Sequence, residues 1–210
     1  MSNNTQIINS SFLTLSQIYL NTAGNILEQM IKNGNQWALV FDGKEFNSED
    51  KMWNKYSEAT KWSDFKIIIP ALFLFFHGLE LLSKCFLFLA DNTYINTLDL
   101  NHNLEDLYNK VKENYKNNSE LVNIIKKYSY LNQDTPSIIQ DFIKINPKIK
   151  DIQDFYQSLR YPSTKQLQTA YNYGPMKYKE KEGLPFAQEL KGDIGTLLIQ
   201  SIKIYRAKQS

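Results

Sequence analysis

Phe65–Ala90 reads FKIIIPALFLFFHGLELLSKCFLFLA, the densest apolar run in the chain. Taken as a helix advancing about 100° per residue, it places Lys84 about 20° and Glu80 about 60° from His77 around the axis, so three polar side chains share one narrow stripe. The rest of the circumference is mainly Leu, Phe, Ile and Cys, the pattern of a helix buried nearly all round with one polar seam. Any chemistry is expected to face that seam. Pro70 lies inside the run, and proline is tolerated in a helix only in its first turn or at a kink. The helix is therefore expected to begin near Pro70 and end near Leu89.

The rest of the chain is amphipathic or polar. At 210 residues and 42% hydrophobic content it is long enough for one sizeable domain. A net charge of +2 supplies no gross field to compel a nucleic-acid or membrane partner. The single cysteine, Cys85, excludes an internal disulfide and a cysteine-built metal site, and its place in the middle of the most apolar run reads as a small buried hydrophobe rather than a reactive thiol. No cofactor and no metal are expected, and the setting is expected to be reducing and cytoplasmic. The N-terminal MSNNTQIINSSF lacks the basic flank and apolar core of an export signal. Phe65–Ala90 is long enough to span a bilayer, but His77, Glu80 and Lys84 would then lie near its middle at a cost of several kcal/mol, so no membrane span is expected.

Apolar residues recur at helical spacing from 5 to 32, and Gly34 supplies the stop. Gln36–Phe41 is short and β-prone, which favours a small strand or an extended excursion. Ser48-Glu49-Asp50 opens a helix over 49–61, whose aromatic face of Trp53, Tyr56 and Trp62 is either ordinary core or a stacking platform for bases. Asn101-His102-Asn103 precedes another helix, and shorter ones are expected around 121–128, 138–143 and 152–159. Between Pro162 and Pro185 the composition turns to Tyr, Lys, Gly and Pro, predicting a non-helical loop over 163–184. A last helix over 186–207 carries Leu190, Ile194, Leu197, Leu198, Ile202 and Tyr205 toward the core. The expected fold is an all-α, single-domain helical bundle with a short non-helical insertion.

Three islands stand in order along the chain: His77-Gly-Leu-Glu-Leu-Leu-Ser-Lys84, His102-Asn-Leu-Glu-Asp-Leu107 and Leu159-Arg-Tyr-Pro162. Together they resemble the HEPN-like superfamily (higher eukaryotes and prokaryotes nucleotide-binding), in which a central helix carries a motif like HxLELLLK, followed by an H-polar-L helix start and in some members an RYP segment. The resemblance covers about 70–162 and implies a bundle of four or five helices, often a homodimer, sometimes a ribonuclease in toxin–antitoxin or phage-defence settings. The nuclease members carry Arg, four to six residues, then His. Here neither Arg160 nor Arg206 is followed by a histidine, so metal-independent cleavage by that pair does not carry over.

Glu80 precedes Lys84 by one turn, the favourable order for a helix pair, and the two are either a mutually satisfied buried pair or part of a shared pocket. His77 is either a satisfied core histidine or a group that touches ligand. His102, at a helix start, reads as a cap-region residue that the resemblance lets approach the seam. Arg160 is one of only two arginines in a lysine-rich chain, and its donor fork suits a carboxylate or a phosphate. It is expected to reach back to the His77–Glu80–Lys84 stripe. Tyr161 and Lys165 follow it as binding candidates, and the loop onward interleaves cations and rings in a composition that can bind single-stranded RNA. Three functions stay open: a non-catalytic RNA- or nucleotide-binding module in a defence or toxin–antitoxin setting; a divergent metal-independent ribonuclease in which His77 or His102 is the general acid or base; and a ligand-free partner of an operon-encoded protein.

Overall fold

A computed structural model describes residues 3–39, 48–94, 102–164 and 168–209. The helices are α1 (Asn3–Lys32), α2 (Glu49–Thr60), α3 (Asp64–Ala90), α4 (Leu104–Asn114), α5 (Ser119–Ser129), α6 (Ser137–Ile145), α7 (Ile152–Ser158) and α8 (Glu180–Gln209), with one 3₁₀ turn at Gly174–Met176. Among the described residues the only β pairing is an isolated bridge between Ser163 and Ala170. The fold is an all-α bundle.

Local chemistry starts the short helices where the sequence places them. The Asn103 side chain accepts from the backbone N–H of Glu105 and Asp106, Asn118 from Leu121 and Asp151 from Asp154, satisfying amides that the first turn leaves unpaired. Gly34, at φ +66°, closes α1 in the left-handed region.

Two boundaries differ from expectation. α3 begins at Asp64, not near Pro70. Pro70 and Lys66 are both exposed, so the carbonyl that the missing N–H leaves without a helical partner lies on the wet side of the helix. α8 begins at Glu180 rather than 186 and contains the exposed Pro185, so the non-helical insertion is shorter than 163–184. The start of α8 is anchored by buried Asp64, whose carboxylate accepts from the backbone N–H of Tyr178 at 3.0 Å and of Lys179 at 2.7 Å. Asp64 also accepts from the Asn35 amide at 3.0 Å, so one side chain joins the end of α1, the start of α3 and the start of α8.

Two other expectations fail on exposure. Trp53 is 55% exposed, since α2 buries only Thr60; its indole donates to Glu49 instead of packing in the core. Ile202, assigned to the core face of α8, is 42% exposed beside Ile199 at 55%. Of Gln36–Phe41, residues 36–39 form no strand, and the remainder lies outside the described residues.

α3 is the axis of the bundle, buried without interruption from Leu82 to Leu89. α1 lies along one flank and packs in turn on α8, and α4 covers another. Phe75 meets Tyr128 of α5 edge-on at 4.7 Å, and Phe76 stacks on Tyr156 of α7 at 5.7 Å. The Glu49–Ala90 stretch contains a window apolar and long enough to cross a bilayer, and 61% of that window is buried inside the protein, which accounts for its composition. Lys127 of α5 pairs with Glu189 at 2.5 Å and with Asp193 at 2.7 Å on α8, while the Tyr128 hydroxyl donates to Asp193 at 2.7 Å.

α1 and α3 approach each other tightly at Gly78. A β-carbon there would lie 2.8 Å from Leu20 Cγ and 3.2 Å from the Leu20 backbone nitrogen. Gly78→Ala is therefore expected to force the helices apart and cost about 1–3 kcal/mol, read as a lower denaturation midpoint in urea with an unchanged slope.

Candidate functional site

The Glu80 carboxylate is 1% exposed, in the middle of the most apolar helix of the chain. An isolated charge there is prohibitively costly, so it must be paired and hydrogen-bonded. Four side chains meet the requirement. Oε1 accepts from Lys84 Nζ at 2.9 Å, one turn along α3, and from His102 Nδ1 at 2.7 Å, at the entry to α4. Oε2 accepts from the Tyr156 hydroxyl at 3.3 Å, on α7, and lies 3.7 Å from Arg160 Nη2, just beyond that helix. Burial alone pushes the Glu80 carboxyl up, but the bonds from Lys84 and His102 outweigh it and hold the group below the usual carboxylate value.

Tyr156 is the hub that joins the outer members. Its hydroxyl touches His77 Nδ1 at 2.9 Å and receives a short bond from Arg160 Nη2. With its proton given to Glu80, the phenol oxygen accepts from Arg160 and from His77 Nδ1–H, and every valence is used; this network assigns the His77 tautomer. Burial first, then the Glu80 charge, pushes the phenol up, against the pull of Arg160. The Tyr156 proton is thus held at neutral pH. His77 meets Tyr19 edge-on at 4.6 Å and lies parallel to Phe73 at 6.0 Å. Burial pulls its pKa below the ordinary value, partly offset by Glu80.

Exposure divides the cluster into an inner and an outer part. Lys84 is 6% exposed with its ammonium on Glu80, which makes it a countercharge rather than the ligand-facing cation the sequence allowed. His102 is the wet member, its side chain 55% exposed. With Nδ1–H donated to Glu80, Nε2 is the ring nitrogen left to meet a ligand. The Arg160 side chain is 26% exposed, its guanidinium 4.3 Å from the centre of the Tyr156 ring. Among the described residues Arg160 Nε is buried with no hydrogen-bond partner. One carboxylate faces both the Lys84 ammonium and the Arg160 guanidinium, which leaves a surplus of positive charge at the cluster.

Arg160 does reach back to the stripe as expected, bridging α7 and α3. Tyr161 does not join it: the ring is 61% exposed and borders a neighbouring groove of about 800 Å³ lined also by Gln153, Gln157 and Thr164. Lys165 lies outside the described residues. The loop's described cations and rings are engaged within the fold: Lys179 pairs with Asp141 and Glu182, Lys177 sits 4.9 Å from the Phe65 ring centre, Tyr178 stacks on Phe65 and the Tyr173 hydroxyl donates to the Ser158 carbonyl. Cys85 is a buried free thiol whose pKa burial raises to about 12. Among the described residues no group of three or more His, Cys, Asp or Glu side chains is arranged to hold a metal ion.

The residue that sequence reasoning missed is Tyr156. At a helical position among apolar residues it reads as core; the only signal was that Arg160 stands four residues later, just past the end of the helix.

Removing the carboxylate strands a buried ammonium, so Glu80→Ala is expected to cost about 3–5 kcal/mol, and Glu80→Leu combined with Lys84→Met to recover most of that loss; chemical denaturation of the three chains checks both. Acid sensitivity has a worked sign. An unfolded imidazole gains its proton near pH 6.5, whereas folded His77 stays neutral to lower pH, so its contribution is present above about 6.5 and lost as pH falls below it. Glu80, also depressed, adds to the loss further down, as pH falls through its folded value. The melting temperature should therefore fall between about pH 7 and pH 5, and His77→Phe should flatten that decline.

No family model matches this sequence, no curated protein matches it, and no solved structure matches its fold.

Proposed function

We propose that this chain is an HEPN-like module that binds a phosphate of RNA or of a nucleotide at the outer edge of the Glu80 cluster, through Arg160 and His102, in a defence or toxin–antitoxin setting. The supporting observation is convergence. The three islands that carry the resemblance are far apart in sequence, yet His77, Glu80 and Lys84 from the first, His102 from the second and Arg160 from the third are linked by ion pairs and hydrogen bonds around one carboxylate. Structural pairing alone needs one cation for Glu80, and Lys84 supplies it. Arg160 brings a second cation whose side chain is partly exposed, and its guanidinium fork suits a further anion.

A divergent metal-independent ribonuclease is the second reading, and the Glu80–His102 bond is what favours it. A carboxylate that fixes one imidazole nitrogen orients the other as a general base, here for a ribose 2′-hydroxyl, with Arg160 beside the phosphate that the hydroxyl attacks.

His102→Ala should leave the fold intact, because the ring is half exposed and Glu80 keeps Lys84 and Tyr156, while lowering affinity for a fluorescent single-stranded RNA about tenfold. Arg160→Lys should weaken it as much by losing the fork. Fluorescence anisotropy reads both, and equal affinities in all three chains would end the proposal. Cleavage of the same RNA in the presence of a chelator, lost in His102→Ala, would select the ribonuclease reading.

A further inference from the structure

The groove beside the cluster differs from it in charge. Its volume of about 800 Å³ is that of a small-molecule site. Among the described residues its lining holds no lysine or arginine; it presents the rings of Tyr161 and Tyr171, the amides of Gln153 and Gln157, and the Asp154 carboxylate.

The chain sets this groove directly against the phosphate-binding edge. Gln153 and Gln157 stand one turn apart on α7 and form a wall of the groove. Gln153 Oε1 accepts from the Leu104 backbone N–H at 3.3 Å, two residues after His102. The Gln157 carbonyl accepts from the backbone N–H of Arg160 at 3.0 Å and of Tyr161 at 3.2 Å, so one turn delivers a guanidinium to the cluster and the neighbouring ring to the groove. The other side is held by backbone pairing: the Thr164 N–H donates to the Thr169 carbonyl and the Tyr171 N–H to the Pro162 carbonyl, both at 3.0 Å, flanking the Ser163–Ala170 bridge. Two polar groups are oriented as well. With Oε1 engaged, Gln153 keeps its Nε2 hydrogens as donors, and Asp154 Oδ2 accepts from the Lys150 backbone N–H at 2.9 Å, which fixes a carboxylate that has acceptor capacity to spare.

We propose, resting on the phosphate reading above, that the groove takes the base of the nucleotide whose phosphate Arg160 and His102 hold, with the base against the Tyr161 ring and its exocyclic amine donating to Asp154. An anion entering the groove meets a carboxylate and no cation, and an uncharged ring gains nothing from the surplus positive charge at the cluster. The ligand that uses both is an anion joined to a flat, uncharged, hydrogen-bonding body, which is a nucleotide. Tyr161, 61% exposed, supplies stacking that any base can use. Asp154 discriminates: an ionised carboxylate only accepts, so it favours cytosine over uracil, which presents a carbonyl where cytosine has its amine.

Isothermal titration calorimetry with ribose 5-phosphate, CMP and UMP separates the phosphate site from the base site. Ribose 5-phosphate should bind, and Arg160→Lys should weaken it. CMP should bind about tenfold tighter than ribose 5-phosphate, and tighter than UMP. Tyr161→Ala should remove most of the gain of CMP over ribose 5-phosphate while leaving ribose 5-phosphate unchanged, and Tyr161→Phe should keep it; the ring is exposed, so both variants retain the fold. Asp154→Asn, whose side-chain oxygen can still accept from Lys150, should erase the gap between CMP and UMP. A short oligocytidylate that binds tighter than CMP identifies the nucleotide as a residue of RNA, and one that binds no tighter identifies it as free nucleotide; either supports the base site. Equal affinities for ribose 5-phosphate and CMP overturn the base site and leave the phosphate site standing, whereas no binding by any of the three overturns both. A CMP preference that survives Asp154→Asn overturns the role of Asp154.

Discussion

A carboxylate in the middle of the most apolar helix constrains everything around it. Glu80 has no water to solvate it, so the fold must deliver donors to both of its oxygens from outside α3. Lys84, one turn away, reaches one oxygen. The others come from the entry to α4 and the end of α7, which means that those segments cannot drift from α3 without exposing an unpaired charge. The cluster therefore adds polar ties from α3 to the entry of α4 and to α7, beside the apolar contacts that pack them.

The same arrangement leaves more positive charge at the site than the carboxylate consumes. Burial divides the cluster: Lys84 and Tyr156 are on the inside, while His102 and Arg160 are partly exposed to solvent. Tyr156 couples the two parts, since its single hydroxyl touches His77, Glu80 and Arg160 at once. A change at any one of the three shifts the acceptor available to the others, so the cluster responds as a unit and not as independent pairs.

A second network, remote from the first, holds the chain's late segment. Asp64 gathers Asn35 and the amides of Tyr178 and Lys179, closing α1, α3 and α8 into one unit. Lys127, Asp193 and Tyr128 do the same between α5 and α8. Both are polar ties between elements distant in sequence, and both leave the outer face of α8 unused by the fold itself.

The sequence by itself determined the helical class, most helix boundaries and the polar stripe of α3, because periodicity and capping are local and act within a few residues. It also marked Arg160, since a rare arginine in a lysine-rich chain is visible as composition. The early starts of α3 and α8 were not legible. A proline is disfavoured in a helix on average, and only the exposure of Pro70 and Pro185, which packing sets, says that the lost hydrogen bond is tolerated there. The burial of Ile202 and Trp53 was misjudged for a related reason: periodicity shows that a helix has an apolar face but not whether a neighbour covers it. What only the tertiary structure decided was the meeting of His102, Tyr156 and Arg160 on Glu80. Their separations in sequence carry no geometric information, and the contact exists because a buried charge draws whatever donors the packed helices bring within reach.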